Sequence, residues 1–362
     1  MKKNSLFLII ILVFILVFFS VGVMGYELTS RSLAMGGAFT AQGDNLEIVL
    51  YNPALIEDSS FIGLSLNMGL EMNNYSEYSD LLSIEDNFNN NDVINILREV
   101  PDDVSVNSQM FFGAKLDSFA LSYNNKLSTS AVNINSDSAN IDINKFGVGA
   151  LSFAGRITDP PLDIGALSYG VNIKLIDVDR INYSVINENT YTKTKEVGSG
   201  YGLDIGLLAR LTDYLKVGYF MENVLASDIK LSGQEEGYQY NFSENQWDNI
   251  SEESTSSVFT PSLKSRLGAS LEVPVLNLTL AADIDNVFNQ GKEGQILHMG
   301  LEKNLLFNGF SLRVGKITGD KIDYNTLGLG LNLTGFSLDS ALAFEGDSGD
   351  NLATTISFNA LF

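Results

Sequence analysis

Apolar and polar residues alternate along most of the chain after Ile56. Between Ile62 and Met72 every second residue is apolar, and the residues between them are glycine, serine, asparagine or glutamate. The pattern returns at 167–175, 201–209 and 327–333. A period of two is typical of β-strands that have one apolar and one polar face. We predict fourteen such strands, at 60–72, 104–115, 117–128, 142–154, 163–178, 200–210, 213–224, 260–273, 275–287, 294–306, 308–318, 324–333, 335–345 and 352–362.

The predicted connections alternate between two lengths. Those at 73–103, 179–199 and 225–259 are long, whereas most of the others are short turns such as Leu211–Thr212 and Pro274. An even strand number with short turns at one rim and long loops at the other is typical of outer-membrane barrels. We therefore predict an all-β fold, a transmembrane antiparallel β-barrel of about 14 strands spanning 60–362. A soluble β-sandwich is the alternative, because alternation alone does not separate the two.

The N-terminus has the composition of an export signal. Two lysines precede an apolar run from Leu6 to Phe19, and the small residues Val23 and Gly25 stand just before Tyr26. This order predicts a cleaved signal peptide at 1–25, with an uncleaved membrane anchor as the alternative. Together with the barrel pattern, it predicts that the protein resides in the cell outer membrane.

The segment 26–59 has a different pattern from both of its neighbours. Asp44 and Glu47 have the spacing of a capping box for one short helix that ends at Leu50. A barrel of this size encloses more space than its own side chains fill, so we predict that the segment is an N-terminal periplasmic hatch. It would act either as a gate or as a static plug. The residues assigned to the hatch motif are Gly36, Gly37, Asp44, Asn52, Pro53 and Ala54.

Composition and charge exclude several classes of function. The net charge of −22 argues against nucleic acid as a partner, because phosphates would be repelled. The chain has no cysteine and a single histidine, so we predict no metal centre, no cofactor and no enzymatic activity. The predicted loop 225–259 is acidic and holds the only tryptophan, Trp247. It is either a solvated loop or an aromatic capture site.

Strand alternation also assigns side chains to the two faces of the barrel wall. If the apolar face contacts outer-membrane lipid, the candidates for the lumen include Lys174, Asp204, His298 and Glu302. The last predicted strand places aromatic residues at Phe358 and at the terminal Phe362, which together resemble a signal for the barrel-assembly machinery.

Several motifs resemble the FadL-related superfamily of outer-membrane barrels. The carrying stretches in the N-terminal segment are RSLAMGGAF at 31–39, the acidic Asp44, and YNPALI at 51–56. Further stretches resemble strands of its PorV-like and TraF-like branches: GYGLDIG at 200–206, LKVG at 215–218, RLGA at 266–269 and TLGLG at 326–330.

The resemblance implies two kinds of function. Proteins of the FadL type bind or transport small hydrophobic molecules such as long-chain fatty acids, and their hatch controls passage. PorV-like and TraF-like barrels have structural, secretion-associated or conjugation-associated roles through an envelope or secreted protein partner. We expect the first kind of function and keep the second as the alternative.

Overall fold

The computed structural model describes most of the mature chain. The described residues are Glu27, 29–43, 45–58, 62–73, 104–135, 138–157, 165–187, 189–244, 246–287, 295–306, 308–320, 322–346 and 352–361. The predicted signal peptide, Asp44 and Phe362 lie outside them.

Sixteen strands form one antiparallel sheet among the described residues. Their bounds are β1 Gly63–Asn73, β2 Val104–Leu116, β3 Phe119–Asn135, β4 Ser138–Ile157, β5 Leu167–Asn187, β6 Thr190–Arg210, β7 Leu215–Ala226, β8 Ile229–Asn241, β9 Gln246–Phe259, β10 Lys264–Val273, β11 Leu278–Asp285, β12 Leu297–Leu305, β13 Phe310–Gly319, β14 Ile322–Leu333, β15 Phe336–Glu345 and β16 Leu352–Leu361.

Fourteen of these strands close into a barrel. The sheet runs in chain order from β1 to β7, continues from β7 directly to β10, and returns from β16 to β1. Each of the fourteen predicted strands overlaps one of these barrel strands, so the predicted fold is confirmed. A closed sheet leaves no unpaired edge around the barrel itself.

Two stretches that we predicted as long loops are strands instead. Predicted loop 179–199 continues β5 and β6 as a paired hairpin, which turns only between Asn187 and Thr190. Predicted loop 225–259 is the hairpin of β8 and β9, and β8 pairs with the upper part of β6 from Thr190 to Val197. Both faces of these extensions are largely polar, so they lack the alternation that marked the barrel strands, while backbone pairing continues.

The outer face of the barrel wall is apolar and the inner face is polar. On β14, Leu327, Leu329 and Leu331 are exposed on the outside, and the residues between them point inward. This alternation provides an apolar belt around the barrel, as expected for a strand surface in lipid. Among the described residues, no helix is long and apolar enough to cross a membrane.

Residues 29–58 form a compact unit in the lumen, named here the lumenal segment. It contains helix α1 Ser30–Ala34, a 3₁₀ helix at Leu46–Leu50 and helix α2 Leu55–Asp58. Helix α1 packs on β13 to β16, the 3₁₀ helix on β1 to β3, and α2 on β4 and β5. The segment is thus surrounded by the wall on several sides, and nearly all of its described residues are buried.

The predicted capping box is wrong in its register. The 3₁₀ helix starts at Leu46 with Asn45 as N-cap residue, and no side chain of that residue caps it. Glu47 does not reach back to the helix start, because its carboxylate accepts a hydrogen bond from Asn67 of β1 at 3.2 Å. The predicted end of the helix at Leu50 agrees with the structure.

Candidate functional site

The lumenal segment turns sharply after α1 at Gly36 and Gly37. Both residues have positive φ, 63° and 81°, which glycine adopts without steric cost. A Cβ atom on Gly36 would also clash with the carbonyl oxygen of Met299, and one on Gly37 with the ring of His298. These two positions of the hatch motif therefore require glycine for both conformation and close approach.

Asp283 of β11 holds the chain immediately after this turn. Its carboxylate accepts hydrogen bonds from the backbone amides of Phe39 and Thr40, each at 2.8 Å. Charge-assisted bonds of this kind are stronger than neutral ones. Ser270 adds a hydrogen bond to the carbonyl oxygen of Ala41 at 2.9 Å.

Asn52 fixes the second bend of the segment. Its side-chain amide donates to the carbonyl oxygens of Thr40, at 2.9 Å, and of Leu207 in β6, at 3.0 Å. Its side-chain oxygen accepts from the amide of Ala54 at 3.0 Å, so Pro53 sits inside a small hydrogen-bonded loop. The asparagine joins both halves of the lumenal segment to the barrel wall.

An ion-pair network fixes α1 to the opposite wall. Arg31 donates to both oxygens of Glu302, at 3.0 Å each, in a bidentate arrangement. Arg313 of β13 also pairs with Glu302, and it pairs with Asp339 at 2.7 Å. Removing one member of such a buried network leaves an uncompensated charge, which costs roughly 3–5 kcal/mol.

His298 faces the lumen directly beneath the glycine turn. Its Nδ1 lies 2.7 Å from the carbonyl oxygen of Gly36, and its Nε2 lies 3.2 Å from Asp285 of β11. Arg266 pairs with the same aspartate and donates to the carbonyl oxygen of Gly37 at 3.4 Å. His298 thus contacts the lumenal segment.

Glu47 is a fully buried acid at the centre of the lumenal segment. One carboxylate oxygen accepts from Asn67, while the other has no hydrogen-bond partner among the described residues. Burial, followed by the nearby charge of Asp339, raises the pKa of the Glu47 carboxyl to about 7. This group therefore changes charge near neutral pH while the segment is seated.

Lys174 and Asp204 form a second polar cluster, on the β5–β7 side. The Nζ of Lys174 lies 2.6 Å from Asp204 and 2.7 Å from the side-chain oxygen of Asn223. Asn223 belongs to a bulge of β7, where the register against β6 shifts and φ is 57°. Asp204 accepts from the backbone amide of this residue at 2.9 Å, so the ion pair stabilises the bulge.

A cavity of about 760 Å³ lies between the lumenal segment and these polar clusters. Val49, Leu50 and Tyr51 of the segment form part of its wall. Its apolar side comes mainly from inward-facing residues of four strands: Phe146, Val148, Ala150, Ile176, Phe220 and Phe259. Its charged side includes Lys126, Lys174, Lys264, Arg266, Asp204 and Glu222. Cavities of this size with a mostly apolar lining are typical of small-molecule sites.

The four predicted lumen residues divide between these places. Glu302 and His298 contact the lumenal segment, whereas Lys174 and Asp204 line the cavity. A direct role of any of them in binding a ligand stays a prediction. Phe358 points outward and stacks on Phe336 with ring centroids 5.8 Å apart, and its role in barrel assembly also stays a prediction.

Several contacts of the site were not named from the sequence. Asp283, Arg266 and Arg313 all occupy inward-facing positions of their strands, which the alternation could have indicated. Phe146 and Val148 were harder to find, because they are apolar residues on the lumen face, opposite to the general pattern.

Comparisons with known proteins support the fold at low sequence identity. Searches against protein-family models and curated proteins gave no match. Among solved structures, the Ralstonia pickettii toluene transporter TbuX is similar with a TM-score of 0.61 and 12% identity, over 93% of this chain and 98% of TbuX. The P. putida toluene transporter TodX gives 0.57 and 13%, over 94% and 98%. A Pseudomonas aeruginosa FadL homologue gives 0.59 and 12%, over 95% and 99%.

These similarities define the class of barrel. The chain has the fold of FadL-like hydrocarbon transporters, which fits the prediction of a non-enzyme, and nothing in the comparisons favours the PorV-like or TraF-like branch. At this identity the likeness concerns the fold alone.

Proposed function

We propose that the protein is an outer-membrane β-barrel that binds small hydrophobic molecules and passes them across the membrane. The observation that carries this proposal is the cavity of about 760 Å³, whose apolar wall runs from β4 to the lumenal segment. Burial of apolar ligand surface there would contribute about 25 cal/mol per Å². The fold shared with toluene transporters supports the same substrate class.

The proposal includes both monoaromatic hydrocarbons and long-chain fatty acids as ligands. Phe146, Phe220 and Phe259 provide aromatic surface for the apolar part of either ligand. Lys264 lies at the charged side of the same cavity, where a carboxylate head group could pair with it.

We propose further that the lumenal segment is the gate. Hydrogen bonds from individual side chains, such as Asp283, Asn172 and Ser270, hold its backbone to the wall. A typical neutral hydrogen bond contributes only about 1 kcal/mol net. Part of the segment can therefore move without breaking the hydrogen-bond ladders between barrel strands. A purely structural plug is the alternative, supported by its buried apolar contacts with Phe111 and Leu208.

Filling the cavity tests the proposal. Ala150→Trp places an indole in the apolar wall, and we expect the affinity for a fluorescent fatty-acid analogue and for toluene to fall by about tenfold or more. Ala282→Trp is the matched control, because this residue is exposed on the outer face of β11. Both variants should keep heat-modifiable migration on a gel. Equal affinities in the two variants, or no binding by the parent protein across a panel of apolar ligands, would contradict the proposal.

A further inference from the structure

The hairpin of β8 and β9 leaves one long strand edge without a partner. Within the described part of the chain, β9 pairs with β8 alone, and its other edge ends the sheet. Most of its side chains from Gln246 to Val258 are exposed. An exposed edge presents a row of backbone donors and acceptors that can pair with another chain.

The same hairpin contains two unfavourable charge pairs. Glu235 lies directly opposite Glu253, and Glu236 lies directly opposite Glu252 in the register of β8 and β9. Like charges that face each other across strands are destabilising. Glu235 and Glu236 have partners on β6 side chains, Thr194 at 3.0 Å and Lys193 at 3.6 Å. The two glutamates of β9 face the free edge.

The whole hairpin is strongly acidic. Between Ile229 and Phe259 there are six acidic residues against one lysine, Lys230. Glu252 and Glu253 are adjacent on an extended strand, so their side chains point to opposite faces of the sheet. A strand that paired with β9 at this position could neutralise both faces with two consecutive basic residues.

We propose that the free edge of β9 binds an extended, basic polypeptide segment as an additional strand. The segment carries two adjacent lysine or arginine residues opposite Glu252 and Glu253. Backbone hydrogen bonds provide the affinity of such a contact, and the two charge pairs provide its register and specificity. This interaction surface lies on the rim opposite the short turns and does not depend on the proposed transport function.

Charge also decides against a second copy of the same chain as the occupant. Antiparallel pairing of two β9 edges would bring the glutamates of both copies together and add further like-charge contacts. Charged residues on edge strands are a common protection against this kind of self-association. A basic strand meets the opposite condition.

The single tryptophan gives a direct measurement of binding. Trp247 lies on β9, in contact with Tyr191 and Tyr240, so a strand added at this edge should change its fluorescence. The probes are short synthetic peptides of threonine and valine around a central Lys-Arg pair, titrated into the full chain in detergent. A peptide with Glu-Glu in place of Lys-Arg controls for charge. A copy of the basic peptide with N-methylated backbone amides on one edge controls for strand pairing.

We expect the basic peptide to bind, with an affinity that falls as salt is added, and the other two peptides to bind at least about tenfold more weakly. The double variant Glu252→Gln/Glu253→Gln should lose about tenfold in affinity. Asp117→Asn/Asp213→Asn removes two exposed charges from short turns at the other rim and should bind like the parent.

Three results would overturn the proposal. Equal binding of the N-methylated peptide would show ion attraction without strand addition. Equal losses in the two double variants would show that the charge effect is not local to β9. A dimer of the parent chain that buries Trp247 would make a second copy the occupant.

Discussion

The buried carboxyl of Glu47 makes the seating of the lumenal segment dependent on pH. Its pKa is about 7 in the folded protein, against an ordinary value of 4.5. The seated state therefore binds a proton that the released state has lost between these two pH values. Because the released state binds fewer protons there, the free energy needed to release the segment falls as pH rises.

The size of the effect follows from the two pKa values. A shift of one unit corresponds to 1.36 kcal/mol, so the whole difference is about 3 kcal/mol at pH well above 7. Between pH 5 and pH 8 the loss is about 2.5 kcal/mol, because titration is already under way at the lower pH and incomplete at neutrality. Stability of the seated segment is fully present below pH 4.5 and is lost as pH rises through 7.

Amide hydrogen exchange at Leu46–Leu50 measures this release, after correction for the intrinsic pH dependence of exchange. We expect the opening free energy of the parent protein to decrease by about 2.5 kcal/mol from pH 5 to pH 8. Glu47→Gln cannot ionise and should show no such decrease, and at pH 8 it should be the more protected protein. Glu57→Gln removes a partly exposed acid of α2 and should keep the parent's dependence.

The reasoning fails if Glu47→Gln and the parent have the same pH dependence. It also fails if the parent protects this helix better at pH 8 than at pH 5, because the sign of the linkage would then be wrong.

Two further substitutions test the contacts of the site. Gly206→Ala adds a Cβ that would overlap the side chain of Asn52; uptake of a hydrophobic dye into liposomes should rise several-fold, while Gly149→Ala, which meets no neighbouring atom, should leave uptake unchanged. Unchanged uptake in both would favour a static plug. Lys174→Met leaves Asp204 buried beside no cation and should lower the free energy of unfolding in urea by roughly 3–5 kcal/mol, with additional replacement of the aspartate by leucine restoring much of it. No recovery in the double variant would mean that the loss is not due to the unpaired charge.

The barrel was predictable from sequence because lipid and lumen impose opposite requirements on alternate residues. Leu327, Leu329 and Leu331 show this in one strand, and the same requirement applies to every strand within the membrane thickness. The requirement ends above the membrane, where both faces of a strand meet water. This is why the upper parts of β5 and β6, and the hairpin of β8 and β9, gave no strand signal.

The candidate site was predictable only in part. Gly36 and Gly37 stood out because their close spacing suggested a special backbone conformation, and their positive φ values agree with it. The partner of a lumen residue is set by register and barrel closure, which a single sequence does not provide. Asp283, which binds the amides of Phe39 and Thr40, lies more than 240 residues away along the chain.

The distribution of contacts indicates which half of the lumenal segment can move. Residues 31–41 are held by charged groups of β11 to β13, including the bidentate pair of Arg31 with Glu302 and the two amide bonds to Asp283. Residues 49–54 are held by neutral hydrogen bonds from Asn172 and through Asn52. Breaking a buried charged contact costs several times more than breaking a neutral one.

The more weakly held half is also the half that meets the cavity. Val49 and Leu50 line it, and Asn52 connects this half to both Thr40 and the wall at Leu207. A ligand that enters the cavity therefore presses on the part of the segment with the least costly contacts, while the ionic anchor keeps α1 in place. Movement of the bend at Asn52–Pro53 would open a path past the segment without expelling it, which is the arrangement that a gate requires and that a plug selected for stability alone would not need.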